Sequence, residues 1–286
     1  MIKLNDILRT CGIDPSDCAV ILHTPREPNF RRLLPGIVGN QRALFETYQR
    51  THKGNAAATL RNRNFAVSFV GLLDERSALA GVYRVETEGA PSAFWDTARE
   101  HVRVLSDDLG LDYKLRADYS VFNFSLTDHM SDLVGRLMIS PRRTQNYVRL
   151  AENLDPEIVE LSSISMFDPL PPAWRKWCMT GPELRVISPN QEARLREWRG
   201  IYLIVDETDG ARYVGSAYGA ENLLSRWRSH VRRDHGVTAQ LRQRNPANFR
   251  FSILERVSPD TPIEEITALE QTWMHRLHTK RFGLNT

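Results

Sequence analysis

Gly200-Ile201-Tyr202-Leu203-Ile204-Val205, then Asp206-Glu207-Thr208-Asp209-Gly210, then Ala211-Arg212-Tyr213-Val214-Gly215 is the stretch that decides the fold. Two short runs rich in β-branched and aromatic residues flank a segment of Asp and Gly turn formers, the pattern of a β-hairpin. With Glu207–Gly210 as the loop, Tyr213 faces Ile204, and strand parity puts Tyr202 and Tyr213 on one face, two residues out of direct register. Tyrosines in a small sheet are most often core or rim residues, because aromatic rings favour strands.

Working outward, Ala220–Asp234 sets Leu223, Trp227 and Val231 on one stripe and predicts a helix, and Phe249–Leu254 predicts a third strand. Ile263–Leu277 spaces Ile266, Leu269, Trp273 and Leu277 as a helix, opened by Pro262 and the acids Glu264 and Glu265. The order is β-β-α-β-α: a small three-stranded antiparallel sheet flanked by helices. Each helix carries charge where apolar residues belong. Glu270 lies four residues after Ile266 and three before Trp273, and Arg226 and His230 are four apart on the earlier helix. Two readings follow: an Arg–Glu ion pair tying two helices together, or an anion site in which Glu270 holds a divalent cation and Arg226 faces a phosphate.

Upstream, Pro169, Pro171, Pro172, Pro182 and Pro189 between Ser165 and Asn190, with Trp174 and Trp177, predict an extended connector over residues 165–190. It separates a domain at 1–164 from one at 191–286. In the first, Ala19–His23, Phe65–Leu73, Ala80–Glu86, Tyr119–Leu126, Gly135–Ile139, Tyr147–Ala151 and Ile158–Ile164 read as strands, and Asn40–Gln49 and Ala93–Leu109 as helices. The protein is therefore expected to be α+β in two domains, the first strand-rich. Its 286 residues, 41% hydrophobic, suit that size. No run approaches the roughly 18 apolar residues of a membrane span, the first ten residues do not read as a signal peptide, and three cysteines form neither a disulfide framework nor a metal knuckle. A reducing cytoplasm is the expected compartment.

Charge is uneven. Residues 194–286 hold 15 basic and 11 acidic side chains, and the whole chain has 38 Lys plus Arg against 35 Asp plus Glu. From Arg226 to Arg250, Arg228, Arg232, Arg233, Arg242, Arg244 and the two ends face one acid, Asp234. Charge runs are usually solvated faces; one broken by Gly236, Asn245 and Pro246 also suits a loop along a DNA backbone. In the first domain, Arg26, Arg31, Arg32, Arg42, Arg50, Lys53, Arg61 and Arg63 face only Glu27 and Glu46, and predict a DNA-facing side as readily as a solvated one. His235, His275 and His278 show no ligand geometry.

Gly200-Ile201-Tyr202 and Tyr213-Val214-Gly215 resemble the paired words that name the GIY-YIG nucleases. The resemblance extends, in order over residues 200–286, to Arg226 with His230 one turn later, to Glu270 as metal ligand and to Asn285. One departure is Ser216, where many members carry Lys. The words Gly215–Gly219 and Gly283–Asn285 resemble a restriction-type branch. The resemblance implies a metal-dependent DNA endonuclease, using Mg²⁺ or Mn²⁺ held by Glu270, with Arg226 offsetting phosphate charge and Asn285 orienting phosphate or tyrosine. Tyr202, Tyr213 and His230 remain rival bases. It also implies that residues 1–164 recognise double-stranded DNA, reading sequence or base modification in a restriction or phage-defence enzyme; its strand set faintly resembles the PUA-like readers of modified bases, with no motif matched. A structure-specific repair or recombination nuclease is the alternative, although no Gly-rich helix-hairpin-helix repeat is present. A non-catalytic DNA-binding protein would be expected to lose Glu270 or Arg226, and both are here. Homo-oligomerisation is left open.

Overall fold

A computed structural model describes residues 2–89, 91–113, 118–141, 146–234 and 238–286, excepting the side chain of residue 87. The chain divides into two compact units, Met1–Asp168 and Pro169–Thr286. No helix among the described residues is long and apolar enough to cross a membrane, and Cys11, Cys18 and Cys178 are free thiols.

In the first unit the elements run α1 (Leu4–Thr10), β1 (Cys18–His23), α2 (Pro28–Asn40), α3 (Arg42–Gln49), β2 (Thr51–Lys53), α4 (Gly54–Arg61), β3 (Phe65–Gly71), β4 (Ser77–Gly89), α5 (Pro91–Arg103), β5 (Tyr119–Leu126), β6 (Leu137–Ile139), β7 (Val148–Leu150), α6 (Ala151–Leu154) and β8 (Ile158–Leu161). The sheet order is β2-β5-β4-β3-β1-β7, with β6 pairing both β4 and β8. Among these ladders β1 and β3 are the parallel pair. That pairing places β1 inside the sheet, which is why Cys18–His23 is buried throughout and lacks polar alternation. Each strand read from sequence is present. The structure adds the helices α1, α2, α4 and α6 and the short strand β2; α2 carries Pro35 inside it, and α4 opens with Gly54, both signals of a break.

The second unit adds β9 (Cys178–Thr180), α7 (Gly181–Arg185), α8 (Pro189–Glu197), β10 (Arg199–Asp206), β11 (Arg212–Ala217), α9 (Asn222–Arg232), α10 (Ala239–Arg242), β12 (Phe249–Val257), α11 (Ile263–Arg276) and α12 (Thr279–Phe282). Its sheet has four strands in the order β11-β10-β12-β9, not three. The fourth comes from the segment expected to be an extended connector: Cys178, Met179 and Thr180 pair with Ser252, Phe251 and Arg250. Pro182 and Pro189 do not keep the chain extended there. Each sits in the first turn of a helix whose N-cap side chain, Thr180 or Ser188, accepts from a backbone amide, a place where the missing proline N–H costs nothing. Trp177, Met179, Leu184, Ile187 and Leu195 are buried in the same apolar cluster as Tyr202 and Trp227.

Candidate active site

The β10–β11 hairpin pairs Ile204 with Tyr213 and Tyr202 with Gly215, the register its turn residues predict. Both glycines at its far end are steric necessities. A Cβ on Gly215 would stand 2.4 Å from Tyr202 Oη and 2.9 Å from the Tyr213 ring. On Gly200, at φ +153°, it would stand 2.0 Å from the Glu255 carbonyl oxygen. There the β10–β12 ladder slips by one residue between Ile201 and Tyr202, an irregularity of the kind that re-aims a side chain.

Tyr202, fully buried, packs edge-on against Trp227, with ring centroids 6.4 Å apart. Its Oη lies 2.7 Å from His230 Nε2. Tyr213 completes the group, its ring 6.4 Å from that of Tyr202 and 5.3 Å from that of His230. The helical spacing of Trp227 and His230, three residues apart on α9, makes both meet the hairpin face. Burial, reinforced by Arg226, pushes the His230 pKa down to about 3, so its imidazole is neutral at ordinary pH. Its Nδ1 is buried without a partner. Burial also raises both tyrosines, while Arg226 opposes the rise. The proximity of Tyr202, and behind it Tyr213 and Glu270, holds Arg226 above the usual guanidinium range despite its own partial burial.

Arg226 and Glu270 form no direct salt bridge, so the helix-tying ion pair is not what the structure contains. Glu270 Oε2 instead accepts from Ser216 Oγ at 2.6 Å. Ser216 stands where many GIY-YIG nucleases carry Lys, and its short hydroxyl holds the carboxylate. Asn285 Oδ1 accepts from Val214 N at 2.9 Å and its Nδ2 donates to Val214 O at 2.8 Å, so its amide clamps β11 beside Tyr213.

The cations expected to meet DNA are mostly engaged within each unit. Arg228 forks onto Glu192 at 3.2 and 2.8 Å, Arg244 binds Asp206 and Asp209, Arg233 donates to the Arg244 carbonyl, and Arg250 pairs with Glu207. Arg232 is exposed, and Arg242 also has a partner. In the first unit Arg61 forks onto Glu88 and reaches Ser120; Arg63 pairs with Glu152 and the Ser16 carbonyl. Arg31, Arg42 and Arg50 donate to the carbonyls of Leu72, Ala80 and Phe122, whereas Arg26 and Arg32 are exposed. Composition counted these charges without their acids, which lie far away in sequence. His275 and His278 are exposed, and His235 lies outside the described residues.

Tyr202, Tyr213, Arg226, His230 and Glu270 thus meet at one end of a β-hairpin. Residues 184–285 match the GIY-YIG catalytic domain. The GIY-YIG match begins in α7, upstream of the expected boundary at residue 191. Among solved structures, the catalytic domain of the intron endonuclease I-TevI in a mutant form is 26% identical, covering 31% of this chain and 92% of its own, with a TM-score of 0.26. A second structure of the catalytic domain of the homing endonuclease I-TevI is 27% identical over 30% of this chain and 96% of its own, with a TM-score of 0.26. The search of curated proteins returns no match.

Proposed function

We propose that the protein is a metal-dependent DNA endonuclease of restriction or phage-defence type, acting in the cytoplasm, in which the GIY-YIG domain cuts and the unit Met1–Asp168 recognises double-stranded DNA. The observation that carries the reading is the meeting of a guanidinium, a carboxylate and a buried phenol–imidazole pair inside a GIY-YIG domain. The donor set fits one hard divalent cation: Glu270 offers carboxylate oxygen, Ser216 occupies only one of its two oxygens, and such ions bind by one or two carboxylates plus water and substrate phosphate. Mg²⁺ or Mn²⁺ is an ion of that kind. Bound there, the cation would supply Lewis-acid stabilisation of phosphate and leaving oxygen.

The chain's own groups then divide the work by access. Arg226 offsets the extra negative charge as water adds to phosphorus. Tyr213, at the margin of the cluster, orients the attacking water through its Oη. Tyr202 and His230 lie behind it, fully buried, and hold Tyr213 in place. Cleavage of plasmid DNA with Mg²⁺, by the natural chain and by Glu270→Gln, tests the proposal. Loss of cutting with an unchanged melting temperature is expected of the variant; equal cutting by both proteins would remove Glu270 from the chemistry.

A further inference from the structure

The first unit contains a cavity of about 550 Å³ that the nuclease chemistry does not use. Its size falls in the range of small-molecule sites. Four tyrosines line it, Tyr48, Tyr113, Tyr119 and Tyr147, and three buried polar side chains join them: His23, Gln49 and His52. The polar three are held from behind. Ser68 Oγ donates to Gln49 Oε1 at 2.8 Å, which orients the amide. His52 Nδ1 lies 3.0 Å from Tyr147 Oη, and the two rings stack at 23°. His23 packs edge-on against Phe45 at 5.1 Å. Their Nε2 atoms are buried and make no well-formed hydrogen bond, although Gln49 neighbours both histidines, His23 through its side chain and His52 through its backbone. Buried polar groups are nearly always satisfied in folded proteins, so this wall keeps bonding capacity for a molecule that brings acceptors and donors.

The electrostatics narrow the choice. Burial lowers His23 to about 3 and His52 to about 4, and raises Tyr113 and Tyr147 to about 12. The inner wall is therefore uncharged between these limits, which suits neither a phosphate nor a carboxylate. A neutral planar heterocycle with a hydrogen-bonding edge matches it: rings for its faces, Nε2 groups for its edge. Charge of both signs appears at the margin instead, where Arg26 and Asp112 are exposed, and Lys53, 5.4 Å over the Tyr119 ring, lines with Asp118 the adjoining hollow that shares Tyr147. The two cations suit the backbone on either side of such a ring.

We propose that this cavity takes one nucleobase turned out of a DNA duplex, stacked on the tyrosines and read along its edge by His23, Gln49 and His52. The proposal deepens the recognition role above and rests on the reading that the protein acts on DNA. Turning a base out costs stacking and pairing, least at a mispaired position.

The test is equilibrium binding of the full chain carrying Glu270→Gln, so that substrate survives, to duplexes identical except at one position. That position is fully paired, abasic, or occupied by mispaired adenine, cytosine, guanine, thymine, 5-methylcytosine or N6-methyladenine. At least one base should bind about tenfold or more tightly than the abasic duplex, as base stacking and edge contacts predict. In the same chain with Tyr119→Ala and Tyr147→Ala, both at accessible positions of the wall, the base and abasic affinities should converge. If no base gains over the abasic duplex, the proposal is overturned, even if the natural chain cuts DNA. A gain that survives the double substitution overturns it as well, by placing the contact elsewhere. A gain without any cleavage by the natural chain would instead sink the nuclease reading and leave the pocket standing.

Discussion

At the residue scale, three side chains compete for the proton of water, and burial ranks them. Tyr213→Phe should lower the single-turnover cleavage rate by about 10²–10⁴, the range of general-base and positioning groups, and by more than Tyr202→Phe does. Equal losses would put Tyr202 at the reacting water. His230, pushed down to about 3, is already neutral from weakly acidic pH upward. The rate should therefore show no histidine inflection between about pH 6 and 7; such an inflection in the natural chain that is absent in His230→Asn would restore His230 as the base. Gly200→Ala should destabilise the second unit by at least about 1–3 kcal/mol, the cost of a strained backbone, because its Cβ would press on the Glu255 carbonyl. Thermal melting reads that loss directly.

At the element scale, the decisive piece is β9 with α7. Met179, Leu184 and Ile187 are buried in the core of the second unit, and losing one such side chain costs about 2–5 kcal/mol. A fragment spanning 191–286 should consequently melt non-cooperatively, whereas Pro169–Thr286 should fold with a sharp transition. Calorimetry of the two fragments is the check, and a cooperative transition in the shorter one would return β9 to the connector.

For the whole molecule, acid is the informative stress. His23, His52 and His230 are all buried with depressed pKa values. Unfolded, each takes a proton near pH 6.5; folded, each resists until about pH 3–4. The unfolded state thus binds more protons throughout that window, so stability is complete above about pH 6.5 and falls as pH is lowered toward 3. Melting temperatures measured from about pH 7.5 down to 4.5 should decline in both units. Substituting His230 by Asn should flatten the decline of the second unit only. Surface charge adds little here, since exposed pairs such as Arg61–Glu88 contribute modestly and are screened by salt.

Local chemistry was legible in the chain itself. Turn residues set the hairpin register, helical spacing set Arg226 and His230 one turn apart, and the apolar stripe of α11 put Glu270 beside the core; each depends on neighbours within a few residues. What touches what was not legible. Ser216 meets Glu270 across 54 positions, Asn285 clamps Val214 across 71, and Arg61 finds Glu88 only when α4 lies beside β4 and β5. Prolines that signal an extended chain became helix starts because Thr180 and Ser188 cap the backbone there and β12 offers an unpaired edge to β9. The tyrosine-lined cavity is drawn from β1, α3, β2, β5 and the segments around Tyr113 and Tyr147. No spacing in the sequence brings those together: hydrogen-bond and packing partners far apart in the chain are chosen by sheet order, which tertiary structure alone decides.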